Sequence, residues 1–176
     1  MHSIITKKAG LLLFFSAALL FCSCKTDPKD PTADKKKINT VLDSWHQAAA
    51  KADYNNYFKF FSEDAIFIGT DATENWDKKR FMTWAKPYFD KGKAWSFTSL
   101  ERNVYMNEAL TFAWFDELLN TQMKICRGSG VLVKQDDEWK IQQYVLSMTV
   151  PNPQVDSVVA IKSTLENDLI EQLKYK

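Results

Sequence analysis

Two aspartates, Asp71 and Asp116, have the best combination of residue type and position for acid–base chemistry in this sequence. Asp71 follows a short apolar run, and an apolar surround would raise its pKa and make it a general base. The alternative, which we favour, is a turn residue within 69–73. Asp116 lies inside the apolar run 110–119. A carboxylate buried there must be protonated, paired or hydrogen-bonded, because burying it alone is costly.

Strand alternation separates Asp116 from the next acid, Glu117, because successive side chains of a strand point to opposite faces of the sheet. We expect one acid to face the interior, and we assign Asp116 to the pocket. Arg102 and Arg127 are the candidate partners for the buried acid. Two interpretations are equally supported: an Asp–Arg pair that only shapes a polar pocket, and a catalytic acid or base.

Aromatic and polar side chains complete the candidate pocket. Trp84, Trp114 and Tyr144 could line it, although such aromatic residues ordinarily form core. Arg127 and the backbone N–H groups of 128–130 could meet an anion, or the glycines there could simply bend a strand.

Metal, cofactor and nucleic-acid sites are not indicated. His46 is the single histidine after residue 23, interpreted as a boundary residue, and no Cys-x-x-Cys spacing exists, so we predict neither a zinc site nor a cofactor. Without residues 1–23 the chain has 21 basic residues, since two of 23 are removed, against 22 acidic residues. A nucleic-acid-binding protein needs a strongly basic face, which this balance does not provide.

The first 23 residues are predicted to be a lipoprotein signal peptide. Lys7 and Lys8 precede an apolar stretch at 9–21, shorter than the roughly 20 residues that span a bilayer. The stretch leads to Cys24 in a pattern similar to a bacterial lipobox, with Cys22 as the weaker alternative. We therefore expect cleavage before Cys24, lipidation of Cys24 and localisation at the cell envelope. An ordinary secretory signal is the competing interpretation.

Hydrophobic periodicity gives the elements behind the signal. Residues 24–37 are predicted to be a polar tether, residues 38–153 a single domain and residues 154–176 a C-terminal helix packed on it. Helices are expected at 38–52, from Asp53 to Phe61 and from Trp76 or Asp77 to near Pro87; strands are expected at 65–69, 95–106, 109–123, 131–133 and 139–150. Helices followed by strands indicate an α+β fold, with a strongly curved, cone-shaped antiparallel sheet closed by the N-terminal helices.

Several phrases of the sequence resemble the SnoaL-like branch of the nuclear transport factor 2-like superfamily: residues 61–69, 114–117, 127–132 and 139–141. The resemblance implies a cone-shaped pocket over residues 38–150. Some members are isomerases, cyclases or dehydratases, and others only bind ligands or assemble. The Asp base, Tyr and protonated Asp of the family's ketosteroid isomerases do not align as a set here, although Tyr57, Tyr144 and Asp116 offer the same residue types.

We therefore expect an envelope-anchored domain that binds a small ligand in an apolar pocket and has no defined reaction. The alternative is an acid–base enzyme, of isomerase, cyclase or dehydratase type, acting on a small apolar or cyclic substrate. The expected partners are a small molecule, the membrane through the lipid anchor and, through the C-terminal helix, a second copy of the chain.

Overall fold

A computed structural model describes residues 30–175. The predicted signal peptide, Cys24 and the first part of the predicted tether lie outside the described residues. The elements in chain order are α1 (Thr32–Ala50), α2 (Tyr54–Lys59), β1 (Phe61–Ile68), β2 (Asn75–Asp77), α3 (Lys78–Asp90), β3 (Thr98–Met106), β4 (Phe112–Thr121), β5 (Lys124–Gln135), β6 (Glu138–Met148), a 3-10 turn (Asn152–Gln154) and α4 (Val155–Leu173).

Helix α1 begins at Thr32, six residues before the predicted start, so the prediction of a tether through residue 37 is wrong for its last part. The reason is a tertiary contact made by Asp34. Its carboxylate accepts a hydrogen bond from the Trp139 indole at 2.9 Å and lies 3.2 Å from the Lys134 ammonium. These contacts hold the polar first turns of the helix against the sheet.

Helix α3 begins as predicted, with Asp77 accepting a hydrogen bond from the backbone N–H of Arg80 at 2.8 Å. It does not end near Pro87, which lies inside the helix. The last turn persists because Phe89, beyond the proline, is buried in the core. The short strand β2, just before α3, was not predicted.

The sheet has six strands in the order β2-β1-β6-β5-β4-β3, and β3 to β6 pair antiparallel as predicted. Strand β1 runs parallel to β6, and its register shifts between Phe61 and Ile66. This irregular part of β1 includes residues 62–64, between the helix predicted to end at Phe61 and the strand predicted at 65–69. The strand predicted at 131–133 is too short, because β5 is continuous from Lys124 to Gln135.

The core lies between the helices and the inner face of the sheet, and aromatic rings fill most of it. Trp45 packs edge-on against Tyr144 at 4.7 Å between ring centroids, and Phe67 stacks on Phe81 at 3.9 Å. Tyr57 is fully buried among these rings, with Trp95 beside it at 5.4 Å. The α+β, cone-like architecture is therefore as expected.

Contrary to the prediction, helix α4 does not pack on the body of the domain. Within residues 30–175, the only element with which it makes more than marginal contact is the preceding 3-10 turn. Ile161 and Leu165 on its apolar stripe are 81% and 78% exposed. Gln154 occupies the N-cap position of α4, and Asp156 lies in its first turn. Among the helices within residues 30–175, none combines the length and the hydrophobicity of a transmembrane segment.

Candidate functional site

The acid that faces the interior of the cone is Glu117, whose side chain is 0% exposed. Strand β4 alternates in burial, and Glu117 shares the inner face with Phe115 and Leu119. Asp116 is half-buried on the outer face. The expectation that Asp116 faces the pocket is therefore wrong. The apolar residues of β4 that join the core alternate in phase with Glu117, so Asp116 points to the other face of the sheet.

Four contacts from three side chains surround the Glu117 carboxylate. Its Oε1 lies 2.8 Å from His46 Nε2 and accepts a hydrogen bond from the Tyr144 hydroxyl at 3.3 Å. Its Oε2 accepts a hydrogen bond from Arg102 Nε at 2.9 Å, and Arg102 Nη2 lies at the same distance. The buried anion thus has donors on both oxygens, which is what burial of a carboxylate requires.

The fold brings these side chains together from one helix and three strands. Arg102 on β3 is the direct cross-strand partner of Glu117 on β4. Arg102 Nη1 also binds Asp43 of α1 at 2.7 Å. The guanidinium therefore bridges the helix and the sheet, while His46, one turn further along α1, reaches the same carboxylate.

Gly128 of β5, the cross-strand neighbour of Glu117, provides the space for this cluster. A Cβ at Gly128 would lie 2.3 Å from the Tyr144 hydroxyl oxygen and 3.0 Å from Glu117 Cγ. Gly130 plays a similar role, because a Cβ there would lie 2.4 Å from the backbone oxygen of Gln143 and 2.8 Å from the Phe115 ring. Because the two glycines have no side chains, neighbouring groups can pack closely against the inner face of β5. The strand continues through both glycines.

Electrostatics keep Glu117 ionised. Burial alone raises the pKa of Glu117, but the hydrogen bond and charge of His46 and the charge of Arg102 outweigh burial, so the pKa lies below its ordinary value. Burial and the neighbouring Glu117 charge raise the pKa of Tyr144 well above its ordinary value. The cluster therefore holds an anionic carboxylate beside a neutral phenol, and the carboxylate can orient the imidazole of His46.

His46 is buried, but it borders a surface depression of about 320 Å³. Asp43, Gln47, Ala50 and the segment 96–99 line the rest of this depression. The ring of Phe97 lies 6.0 Å from the imidazole between ring centroids. The histidine, held on one side by Glu117, is thus the one member of the cluster that lines this depression.

A second space, at the open end of the cone, is apolar and aromatic. It has a volume of about 180 Å³, and Trp84 is one of the residues that line it. Thr70, Glu74 and Gln122 supply polar groups to its lining. The remaining lining residues are mostly apolar: Phe67, Gly69, Trp76, Phe81, Trp95, Phe97, Met123 and Leu146.

Phe97 belongs to both spaces, and it separates the aromatic pocket from His46. Tyr144, another predicted pocket residue, lies beneath the pocket in the core and contacts Glu117. The ionic cluster and the apolar pocket are therefore neighbours in the cone, but the cluster does not line the pocket.

Asp71 lies on the surface in the turn that connects β1 to β2. Its side chain accepts a hydrogen bond from the Thr73 backbone N–H at 2.8 Å. The Thr73 hydroxyl and backbone N–H hold the pKa of Asp71 below its ordinary value. This is the turn geometry that we favoured over the general base.

The other predicted pocket residues lie on the outer face of the sheet. Asp116 lies 3.8 Å from Arg127, and the side chains of both are substantially exposed. Trp114 is exposed and stacks on Tyr105 at 5.9 Å. The structure therefore places Asp116, Arg127 and Trp114 together, but on the side opposite the cone interior.

Sequence reasoning missed Glu117 as the interior acid and His46 as its partner. The available signal was the parity of β4: Glu117 alternates in phase with Ala113 and Phe115, whereas Asp116 alternates with Trp114. Both sets of alternate residues in this strand are largely apolar, so the alternation alone did not show which face of the strand lies in the interior. Within residues 30–175, no group of three or more His, Cys, Asp or Glu side chains is placed to hold a metal ion.

Comparison with known proteins assigns the family. The model of the SnoaL-like domain matches residues 38–151. The chain belongs to the SnoaL-like family. A comparison with curated protein sequences finds no match.

Solved structures share the architecture of this SnoaL-like domain at low sequence identity. An NTF2-like protein of unknown function from Pseudomonas putida is 13% identical, with a TM-score of 0.59, over 69% of this chain and 90% of that chain. A Streptomyces avermitilis protein of the NTF2-like family, provisionally named a dehydratase, is 10% identical, with a TM-score of 0.60, over 69% and 100%. The association domain of C. elegans CaMKII is 18% identical, with a TM-score of 0.55, over 66% and 97%. These similarities concern the fold.

Proposed function

We propose that this SnoaL-like protein is held at the cell envelope by a lipid on Cys24 and binds a small apolar ligand at the open end of its cone. The observation that carries the binding proposal is the aromatic pocket of about 180 Å³. A dry cavity of about 150 Å³ is large enough for benzene. The ligand class that fits is therefore a single apolar or aromatic ring with one or two polar groups.

The lining of the pocket supports this ligand class. Trp76 and Trp84 stack at 4.7 Å between ring centroids, and they provide flat apolar surface on one side. Thr70, Glu74 and Gln122 give a few polar groups that could orient a ring substituent. A mostly apolar lining with a few polar groups is the usual character of small-molecule sites.

The Glu117 cluster supports binding without a defined reaction. Both carboxylate oxygens already accept donors from His46, Tyr144 and Arg102. The low pKa of Glu117 also makes it a weak base. In this arrangement Glu117 joins α1 to the sheet behind the pocket and does not face a ligand.

The binding proposal is tested with fluorobenzene, whose ¹⁹F signal broadens and shifts when the ring is bound. Leu146 lines the pocket, so Leu146→Phe fills part of it and should weaken binding at least tenfold. The matched control is Val145→Phe, one residue earlier in β6 and on the opposite side of the strand. No binding to the wild type, or equal weakening by both variants, would contradict the proposal.

A second candidate function, acid–base catalysis on a small cyclic substrate, has one specific observation in its favour. His46 is oriented by Glu117 at 2.8 Å and borders the depression of about 320 Å³. A carboxylate that orients a histidine is a recurring arrangement in proton transfer. In this alternative His46 accepts the proton, and Glu117 positions the imidazole.

Proton abstraction can be measured before a substrate is known. Cyclohexanone in D₂O exchanges the protons next to its carbonyl group when a base removes them, and NMR follows the exchange. The catalytic alternative predicts exchange above the buffer rate that His46→Gln abolishes and Asp71→Asn leaves unchanged. Exchange at the buffer rate with the wild type would leave binding as the function.

Self-association through α4 completes the proposal. An isolated helix of this length is marginal in water unless its apolar side is covered. Ile161 and Leu165 are among its most exposed residues, and the body of the domain does not cover them. We therefore propose that α4 of a second copy covers them.

A further inference from the structure

The structure contains a third space, a surface groove of about 600 Å³ on the side of the domain where the described chain begins. Helix α1 forms one wall, and the turn between β5 and β6 forms the other. Val41, Phe60 and Trp139 give the groove an apolar floor, and four lysines stand around it: Lys36, Lys37, Lys59 and Lys140. The aromatic pocket of the cone shares no lining residue with it.

The lysines leave the groove positively charged. Lys140 pairs with Glu138 at 2.6 Å. Among residues 30–175, Lys36, Lys37 and Lys59 have no carboxylate within 4.0 Å of their ammonium groups, and Asp137 is the one remaining acid of the lining. These three ammonium groups and the apolar floor below them match an amphiphilic anion, with phosphate at the rim and hydrocarbon below.

The proposed lipid anchor would also bring this groove near a membrane. Asp34 is held by Trp139 and Lys134, so the start of α1 is fixed at the edge of the groove. Asp30 is six positions after Cys24, and a chain of that length spans at most about 20 Å. If Cys24 carries the lipid, the groove cannot be far from the bilayer surface.

We propose that this groove binds the phosphate headgroups of anionic phospholipids in the membrane that carries the anchor. The inference rests on the proposed envelope anchoring for its geometry, while the charge and apolar floor of the groove do not depend on it. Binding there would lay the end of α1 against the bilayer and leave the open end of the cone as a separate site. Salt screens the attraction between a lysine and an anionic surface beyond about 8–10 Å. The grouping of the lysines at one edge therefore affects membrane binding more than the net charge of the domain does.

The test uses the chain from residue 24 to 176 with Cys24→Ser, so that no lipid contributes to binding. It is sedimented with vesicles of phosphatidylglycerol and phosphatidylcholine, or of phosphatidylcholine alone. We expect binding to the anionic vesicles only. Each lysine at such a surface contributes about fivefold, so changing Lys36, Lys37 and Lys59 together to Gln should weaken binding about a hundredfold.

The matched control changes Lys79, Lys91 and Lys93 of the α3 region to Gln, which alters net charge by the same amount away from the groove. It should stay within about threefold of the parent chain, and circular dichroism should show that both triple variants fold. Equal losses in the two triple variants, or no preference for anionic vesicles, would overturn the proposal.

Competition with inorganic phosphate shows whether the groove binds a lipid headgroup or a free phosphate ion. If millimolar phosphate releases the protein from the vesicles at constant ionic strength, the groove takes a free anion and the lipid assignment is wrong. Fatty-acid labelling of the natural chain is read separately. Vesicle binding in this test, with no fatty-acid labelling of the natural chain, would contradict the lipid anchor and support lipid binding by the groove. Labelling of the natural chain with no vesicle binding in this test would support the anchor and contradict lipid binding by the groove.

Discussion

His46 and Glu117 are 71 positions apart in the sequence, and their Nε2 and Oε1 atoms lie 2.8 Å apart in the interior of the cone. The pair joins α1 to β4, and Arg102 adds a second link from the same carboxylate to Asp43 of α1. This network therefore connects the helix that closes the cone with the sheet that forms it.

Replacing Glu117 with Gln should destabilise the domain by about 3–5 kcal/mol, because the largely buried guanidinium of Arg102 loses its interior counter-charge. Urea unfolding followed by tryptophan fluorescence measures the change. Asp116→Asn, one residue away on the outer face, is the matched control and should stay within about 0.5 kcal/mol. A loss below 1 kcal/mol for Glu117→Gln would show that the cluster contributes little to stability.

Stability should fall in acid, with Glu117 as one cause. Its pKa is lower in the folded state than its ordinary value of 4.5. The unfolded chain therefore binds the proton more readily, and the stabilisation is complete above about pH 4.5 and is lost as the pH falls through the folded pKa. Free energies of unfolding between pH 3 and 7 should show a shallower acid decline in Glu117→Gln than in the wild type. Parallel declines would assign the acid sensitivity to other carboxylates, such as Asp34, whose pKa the Trp139 hydrogen bond lowers.

Gly128→Ala and Gly130→Ala should each destabilise the domain by about 1–3 kcal/mol through overpacking. Gly130→Ala should be the more harmful, because the atom nearest to its Cβ is a backbone oxygen, whereas Gly128 faces the end of the Tyr144 side chain. Thermal unfolding gives the comparison. Ser129→Ala, between the two on the other face of β5, should be nearly neutral, and a similar loss there would contradict this account of the glycines.

Cys24→Ser should abolish incorporation of an alkyne-tagged fatty acid in cells, because lipidation needs the thiol of the cysteine that becomes the N-terminus. Cys22→Ser, two residues earlier, should retain it. In-gel fluorescence of the tagged protein measures both. Labelling that persists in Cys24→Ser and is lost in Cys22→Ser would move the modification to Cys22, and an unlabelled wild type would favour an ordinary secretory signal.

Ending the chain at Pro153 should convert a dimer to a monomer without lowering the thermal midpoint of the domain, since α4 packs on little besides the preceding turn. Light scattering on the two lengths gives the masses, and calorimetry gives the midpoints. Ile161→Asp with Leu165→Asp in the longer chain should also give a monomer. A monomer at both lengths would contradict self-association through α4.

The pattern of residues determined much of the fold. Apolar spacing placed α1, α2 and α3, and alternation with turn residues placed the strands, because those periodicities follow from local backbone geometry. The order of helices and strands, with phrases such as 61–69 and 139–141, was enough for the α+β cone and for the SnoaL-like resemblance.

Tertiary contacts decided the rest. Alternation in β4 shows that Asp116 and Glu117 lie on opposite faces, but it does not say which face is inside. That choice depends on how distant partners pack: His46 and Arg102 meet Glu117, and Phe115 joins the aromatic core. Asp34 likewise holds the first turns of α1 through distant partners, Lys134 and Trp139, the second of which is 105 positions away. Local sequence can specify periodicity, but burial is a property of the assembled chain.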